Sequence, residues 1–193
     1  MASLKSYAIL VLFVVSVTGQ GSPQSQCPEV VGRPSWNALP PKSVNHMTFP
    51  VPYAIIIHTD TPECTTNEQC QLRVRSIQSY QMSERNFDDI AFSFLIGGDG
   101  KVYEGVGWHK VGSHSRGYNT RSLGIALIGN FDEKVPSESM TTALRNLLQC
   151  AVSLNELTSD YKLLGHRQVT SVLSPGRTFY EELKTWPHWA SEP

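Results

Sequence analysis

Two histidines and a serine are the side chains whose types and spacing could do chemistry. His58 closes the apolar run Ile55-Ile56-Ile57, His166 follows Leu163-Leu164-Gly165, and Ser174 stands eight residues further on, before Pro175-Gly176. Imidazoles at the ends of two buried strands suggest a metal site, since neutral imidazole is a common metal ligand. Catalytic zinc takes three protein ligands and keeps a fourth position for water. The third ligand here would be Ser174, whose neutral hydroxyl is a poor stand-in for an anionic donor. A serine beside an imidazole can also act as a nucleophile. No third group to orient the base is visible, however, and Ser174 precedes Pro-Gly instead of sitting in a Gly-x-Ser-x-Gly elbow.

The elements that must position these groups are legible as apolar runs and stripes. Val51 to His58 is a continuous apolar run and predicts a buried central strand. Leu123 to Ile128 predicts another, and Tyr161 to Leu164 a short one. Ile90 to Ile96 and Lys101 to Glu104 read as two strands joined by the turn Gly97-Gly98-Asp99-Gly100. Thr65-Thr66-Asn67-Glu68 offers N-caps for a helix to Met82 that turns Cys70, Val74 and Ile77 to one face. Pro136-Ser137 starts a second helix, with Met140, Leu144, Leu147, Ala151 and Leu154 as its core stripe. Thr178 to Lys184 predicts a last helix, and Gly105, Gly107, Gly112 and Gly117 mark a loop. The expected class is α/β: one domain, a central mixed sheet flanked by about three α-helices.

Length and composition agree with one globular unit. The chain has 193 residues, 40% of them apolar and 17% charged, with a formal net charge of -1. Nothing basic enough for nucleic acid occurs, and no run after the N-terminus is long enough to span a membrane. Residues 1–19 predict a secretory signal peptide: Lys5, the apolar run Tyr7 to Val17, then Val17 and Gly19 as small residues before a cut near Gln20. Residues 20–50, rich in Pro, Ser and Gln, read as an N-terminal arm with Trp36 as its anchor, and residues 51–193 as the domain it joins. Secretion makes the four cysteines two disulfides, with three pairings open. A local Cys64–Cys70 bridge is the economical choice, which leaves Cys27 to staple the arm to Cys150. Internal repeats and Asn-x-Ser/Thr acceptors are absent.

Several segments, in order, carry a resemblance: Ile-Ile-Ile-His58-Thr, Cys64-Thr-Thr to Cys70, Phe94 through Trp108, Gly112-Ser-His114, Gly117-Tyr-Asn119, Ile128-Gly-Asn-Phe131, Gly165-His-Arg-Gln-Val169 and Trp186-Pro-His-Trp189. Over residues 27–189 the chain resembles the short, secreted peptidoglycan recognition proteins, which share their fold with zinc-dependent N-acetylmuramoyl-L-alanine amidases. The cysteine pairing above matches short members of that family. Amidase members hold zinc with the histidine ending the first strand, the histidine of Gly-His-Arg and a cysteine eight residues later; those positions are His58, His166 and Ser174. Their assisting tyrosine corresponds to Phe92, and the lysine or threonine before the cysteine to Val172. Neither side chain can donate a hydrogen bond to a developing oxyanion. The resemblance therefore implies a fold without catalytic residues, cofactor or bound metal.

What such a cleft retains is the shape of its ligand. By the resemblance, Arg85, Asn86, Phe87, Phe92, Val106, His114, Tyr118 and Asn119 match the family's muramyl-peptide contacts, with His58, Thr59, His166 and Ser174 on the floor. Arg85 suits a stem-peptide carboxylate, and Tyr118 an aromatic wall with a polar tip. Asn86-Phe87 resembles members that favour lysine-type stems. Val106 stands where an arginine could pair the extra carboxylate of diaminopimelate. The implied function is innate-immune sensing of bacterial peptidoglycan in extracellular fluid, with a downstream extracellular protein partner. The alternative from another class is a metal-independent peptidase acting on stem peptides through Ser174.

Overall fold

The strand Val51–His58 decides the architecture, because its side chains from Ala54 to His58 are buried on both faces. In chain order the elements are β1 (Val30–Val31), β2 (Val51–His58), α1 (Asn67–Ser83), β3 (Phe94–Ile96), β4 (Val102–Glu104), β5 (Ser122–Leu127), α2 (Glu138–Ser153), β6 (Leu157–Gly165) and α3 (Arg177–Leu183), with a 3-10 turn at His166–Gln168. This is a computed structural model that describes residues 27–193; the expected signal peptide 1–19 and residues 20–26 of the arm lie outside the described residues.

The strands form one six-stranded mixed sheet in the order β1-β4-β3-β5-β2-β6. β2 runs parallel to both β5 and β6, and β3 and β4 make an antiparallel hairpin. Alternation along β2 then sorts its side chains between two cores. Ala54 and Ile56 join Met140, Leu144, Leu147 and Ala151 of α2 and Phe179 and Leu183 of α3. Ile55 and Ile57 join Cys70, Val74 and Ile77 of α1, with Trp36 and Tyr103. Each isoleucine so covered contributes roughly 1.5–3 kcal/mol. A strand clad by helices on both sides reads as a continuous apolar run.

The helix starts follow their caps. The Thr66 side chain accepts from the Gln69 N–H, and the Ser137 hydroxyl from that of Met140. Both expected disulfides, Cys27–Cys150 and Cys64–Cys70, are present. Trp36 is buried, and its indole N–H donates to the Glu104 carbonyl at 3.0 Å.

β4, β5 and α3 shift by one residue from expectation, and three further boundary differences have a physical cause. β3 starts at Phe94, not Ile90, because the Phe92 and Ser93 carbonyls accept from the backbone of Gly105, Val106 and Gly107 in a glycine-rich crossing. β6 runs from Leu157, well before Tyr161, past an irregularity opposite Val51 and Tyr53. Leu154 is 49% exposed: α2 ends at Ser153, so the stripe outlasts the helix that would have turned it inward.

Candidate functional site: a groove floored by His58, His166 and Ser174

β2 and β6 lie side by side and parallel, with Ile56 opposite Gly165. Their carboxyl ends therefore deliver His58 and His166 to the same edge of the sheet, where open α/β sheets place ligands. Ser174 arrives from the loop after the 3-10 turn, held by the bond from the Arg167 N–H to its carbonyl at 2.9 Å. Its buried hydroxyl oxygen accepts from the His58 backbone N–H at 3.0 Å. Among the described residues it makes no hydrogen bond to either imidazole.

Each ring has a defined protonation pattern. His58 Nδ1 accepts from the Phe131 N–H at 3.2 Å, which puts the ring proton on Nε2. His166 Nε2 lies 3.0 Å from the His114 carbonyl, to which it can only donate, leaving a buried Nδ1 with no partner among the described residues. Burial lowers the His58 pKa against the opposing pull of Asp60 and Asp132, and Arg167 lowers it further. Burial likewise lowers His166; its bond to the His114 backbone works the other way, and neighbouring His58 adds to the lowering. Both rings are thus kept neutral at physiological pH.

One wall is the loop from Gly112 to Ser122, which folds back over β5. His114 lies against Gly124, where a Cβ would come within 2.5 Å of its Cγ, so only glycine leaves the slot. Burial holds His114 down to about 4, with His166 acting in the same direction and the Ala91 backbone against it. His114 Nε2 meets the Ser122 hydroxyl at 2.9 Å, and that hydroxyl donates to the Tyr118 carbonyl at 2.8 Å. Asn119 Oδ1 accepts from the Ser115 N–H, bracing the turn that presents Tyr118. Thr59 is committed to structure: its hydroxyl accepts from the Gly129 N–H at 3.0 Å.

The same loop, through Ser113 and Asn119, lines a cavity of about 250 Å³ together with Asp88, Asp89, Val106 and Lys110. Asp88 and Lys110 carry charge into it and were not singled out in the sequence, where each is one polar residue in a loop. Asp89 is tied to Arg33 at 3.0 Å. Arg85 and Asn86 are exposed just past α1, Phe87 is half-buried, and Phe92 is 8% exposed within the second core cluster. A larger cavity of about 740 Å³ lies elsewhere, between α2 and residues 185–188, and includes none of these groups.

Residues 47–178 match the N-acetylmuramoyl-L-alanine amidase family. Peptidoglycan-recognition protein 1 of Holotrichia diomphalia is 45% identical over 167 residues, 86% of this chain and 85% of that protein. The solved structure of Drosophila peptidoglycan recognition protein SA superposes with a TM-score of 0.85 at 42% identity, over 86% of this chain and 96% of its own. The structure of peptidoglycan recognition protein LE in complex with tracheal cytotoxin, a monomeric diaminopimelic acid-type peptidoglycan, gives 0.82 at 40% identity, over 83% and 95%. The chain belongs to the peptidoglycan recognition protein family.

For a peptidoglycan recognition protein built on an amidase fold, the question is whether these side chains fit zinc. His166 does: an Nε2 proton donated to a carbonyl with Nδ1 left free is how metal-binding imidazoles are oriented. His58 does not, since its Nδ1 lone pair is taken by the Phe131 N–H and its Nε2 holds the proton. Ser174 supplies an uncharged oxygen already accepting a backbone bond. No group of three His, Cys, Asp or Glu among the described residues is placed to hold a metal ion. The donor set does not fit zinc.

Proposed function

We propose that this chain is a secreted receptor that grips the muramyl stem peptide of bacterial peptidoglycan, leaves it intact and favours lysine-type stems. The observation that carries the reading is the His58–Ser174 contact. Where amidase members present a cysteine, a neutral hydroxyl accepts a backbone hydrogen bond. The chemistry that remains is recognition: a polar floor of neutral imidazoles, an aromatic wall at Tyr118, and Asn119, whose side-chain N–H groups can donate to peptide carbonyls. That relative LE is solved with a peptidoglycan fragment bound supports the same use of the groove. Arg85, Asn86 and Phe87 flank the stem-peptide end in this reading, and Phe92 backs it.

The lysine preference rests on Val106, which lines the cavity beside Asn119 and cannot pair a second carboxylate. A second carboxylate there would face Asp88 as well as Lys110, without the bidentate partner an arginine at position 106 would supply. The occupied receptor would pass its signal to an extracellular protein partner of an immune cascade. A peptidase using Ser174 as nucleophile needs a base within reach, and among the described residues this hydroxyl is hydrogen-bonded to the His58 N–H and to no imidazole.

Calorimetric titration with lysine-type and diaminopimelate-type muramyl tetrapeptides tests the proposal, with mass spectrometry of the ligand after incubation with zinc. The expected result is saturable binding, tighter for lysine, and an unchanged ligand mass. Rapid release of the stem peptide from muramic acid would overturn the non-catalytic reading. Loss of a terminal residue, abolished in Ser174→Ala, would favour the peptidase. Equal or tighter binding of the diaminopimelate form would overturn the preference alone.

A further inference from the structure

We infer that Arg121 is a positioning residue for the groove: it clasps Tyr118 against Tyr53 from outside and so fixes the aromatic wall that faces the ligand. The guanidinium carbon lies 4.4 Å from the centroid of the Tyr118 ring and 5.2 Å from that of Tyr53. The two rings meet edge to face, 5.5 Å apart at 79°. Arg121 Nε donates to the Gly117 carbonyl at 3.2 Å, and the Arg121 N–H to the Tyr118 carbonyl at 3.0 Å. One side chain therefore touches both tyrosines and the backbone of the turn between Ser115 and Asn119.

The turn needs such a hold. Gly117 has a φ of +85° and nothing within 4 Å of where a Cβ would stand, so this tip has no packing of its own. From within, the turn is secured by the Ser122 hydroxyl on the Tyr118 carbonyl, backed by His114. From without, the clasp with Tyr53 is the restraint. Tyr53 and Ser122 are register partners on β2 and β5, so both anchorages belong to the sheet. A planar guanidinium stacks on aromatic faces and keeps a donor fork for the carbonyl, which an ammonium cannot do together. A wall already ordered in the free protein spares a ligand the entropy of ordering it.

The clasp is read from geometry; only its ligand rests on the function proposed above. The test uses the full mature chain, a lysine-type muramyl tetrapeptide, and 3-fluorotyrosine labelling with the Tyr118 fluorine signal assigned by Tyr118→Phe. In Arg121→Gln the Tyr118 signal should shift and narrow as the ring is freed, with the melting temperature unchanged. Affinity should fall about fivefold, mostly through faster dissociation. Arg121→Lys should recover part of both effects, and Tyr53→Leu should reproduce them without adding to Arg121→Gln. An unaltered Tyr118 signal in Arg121→Gln overturns the clasp whether or not the peptide binds. A freed ring with unchanged affinity overturns its role in recognition. A wild type that binds no muramyl peptide overturns the functional reading, and the fluorine signal still decides the clasp.

Discussion

Ser174→Cys is the substitution that asks most of the groove. A thiolate would restore an anionic donor, but His58 would still spend its Nδ1 on the Phe131 N–H, so the variant should bind zinc only weakly and lose it on gel filtration, as read by metal analysis. It should still not cleave peptidoglycan, because Phe92 and Val172 offer no donor to a tetrahedral intermediate. Val106→Arg should raise affinity for diaminopimelate-type over lysine-type peptide by roughly tenfold in a paired titration, the scale of one charge-assisted hydrogen bond. Lys110 lines the same cavity and is the natural control: Lys110→Ala should leave the lysine-type affinity within about twofold. His114 predicts a pH effect. Its pKa is about 4 in the fold against 6.5 in the open chain, so between those values the unfolded chain binds a proton that the fold refuses. Stability should therefore fall as pH drops through that window and level off below it, by about 3 kcal/mol for this group. Urea midpoints across the range measure it, and His114→Gln, which keeps a donor for Ser122, should flatten the slope.

At the scale of elements, legibility tracked how much of an element's fate is decided within itself. β2 spans the residues its apolar run marked out, since a strand buried on both faces needs no partner to be recognised. α1 and α2 begin next to Thr66 and Ser137 because capping is a contact of a few residues. The front of β3 and the length of β6 were not legible, for both depend on which distant backbone groups arrive as partners. The histidines and Ser174 were visible as residue types, and the family resemblance brought them together. That Ser174 would face the His58 backbone, and not its ring, lies in the path of a loop 116 residues away. Gly124 illustrates the same limit: as a glycine inside a strand it marks close approach, yet nothing in the sequence names His114 as what approaches. Gly124→Ala should push that ring aside and destabilise the fold by about 1–3 kcal/mol, with loss of muramyl-peptide affinity, measured by urea denaturation and titration.

For the whole molecule, the two disulfides act on very different scales. Cys64–Cys70 spans 6 residues and Cys27–Cys150 spans 123, so the chain-entropy relation assigns them about 2 and about 5 kcal/mol. Replacing Cys27 and Cys150 by serine should therefore cost far more in melting temperature than replacing the local pair, as scanning calorimetry would read. The long bridge also fixes where the chain enters. Cys150 belongs to α2, which covers the face of the sheet carrying Leu123 and Ile125, whereas the loop of His114 and Tyr118 lies over Gly124 on the other. A molecule seated on a bacterial wall through its groove would turn α2 and the bridged arm toward the surrounding fluid. A tether placed ahead of Cys27 would then suspend the protein with its recognition surface outward, and whatever reads the occupied state would approach from behind.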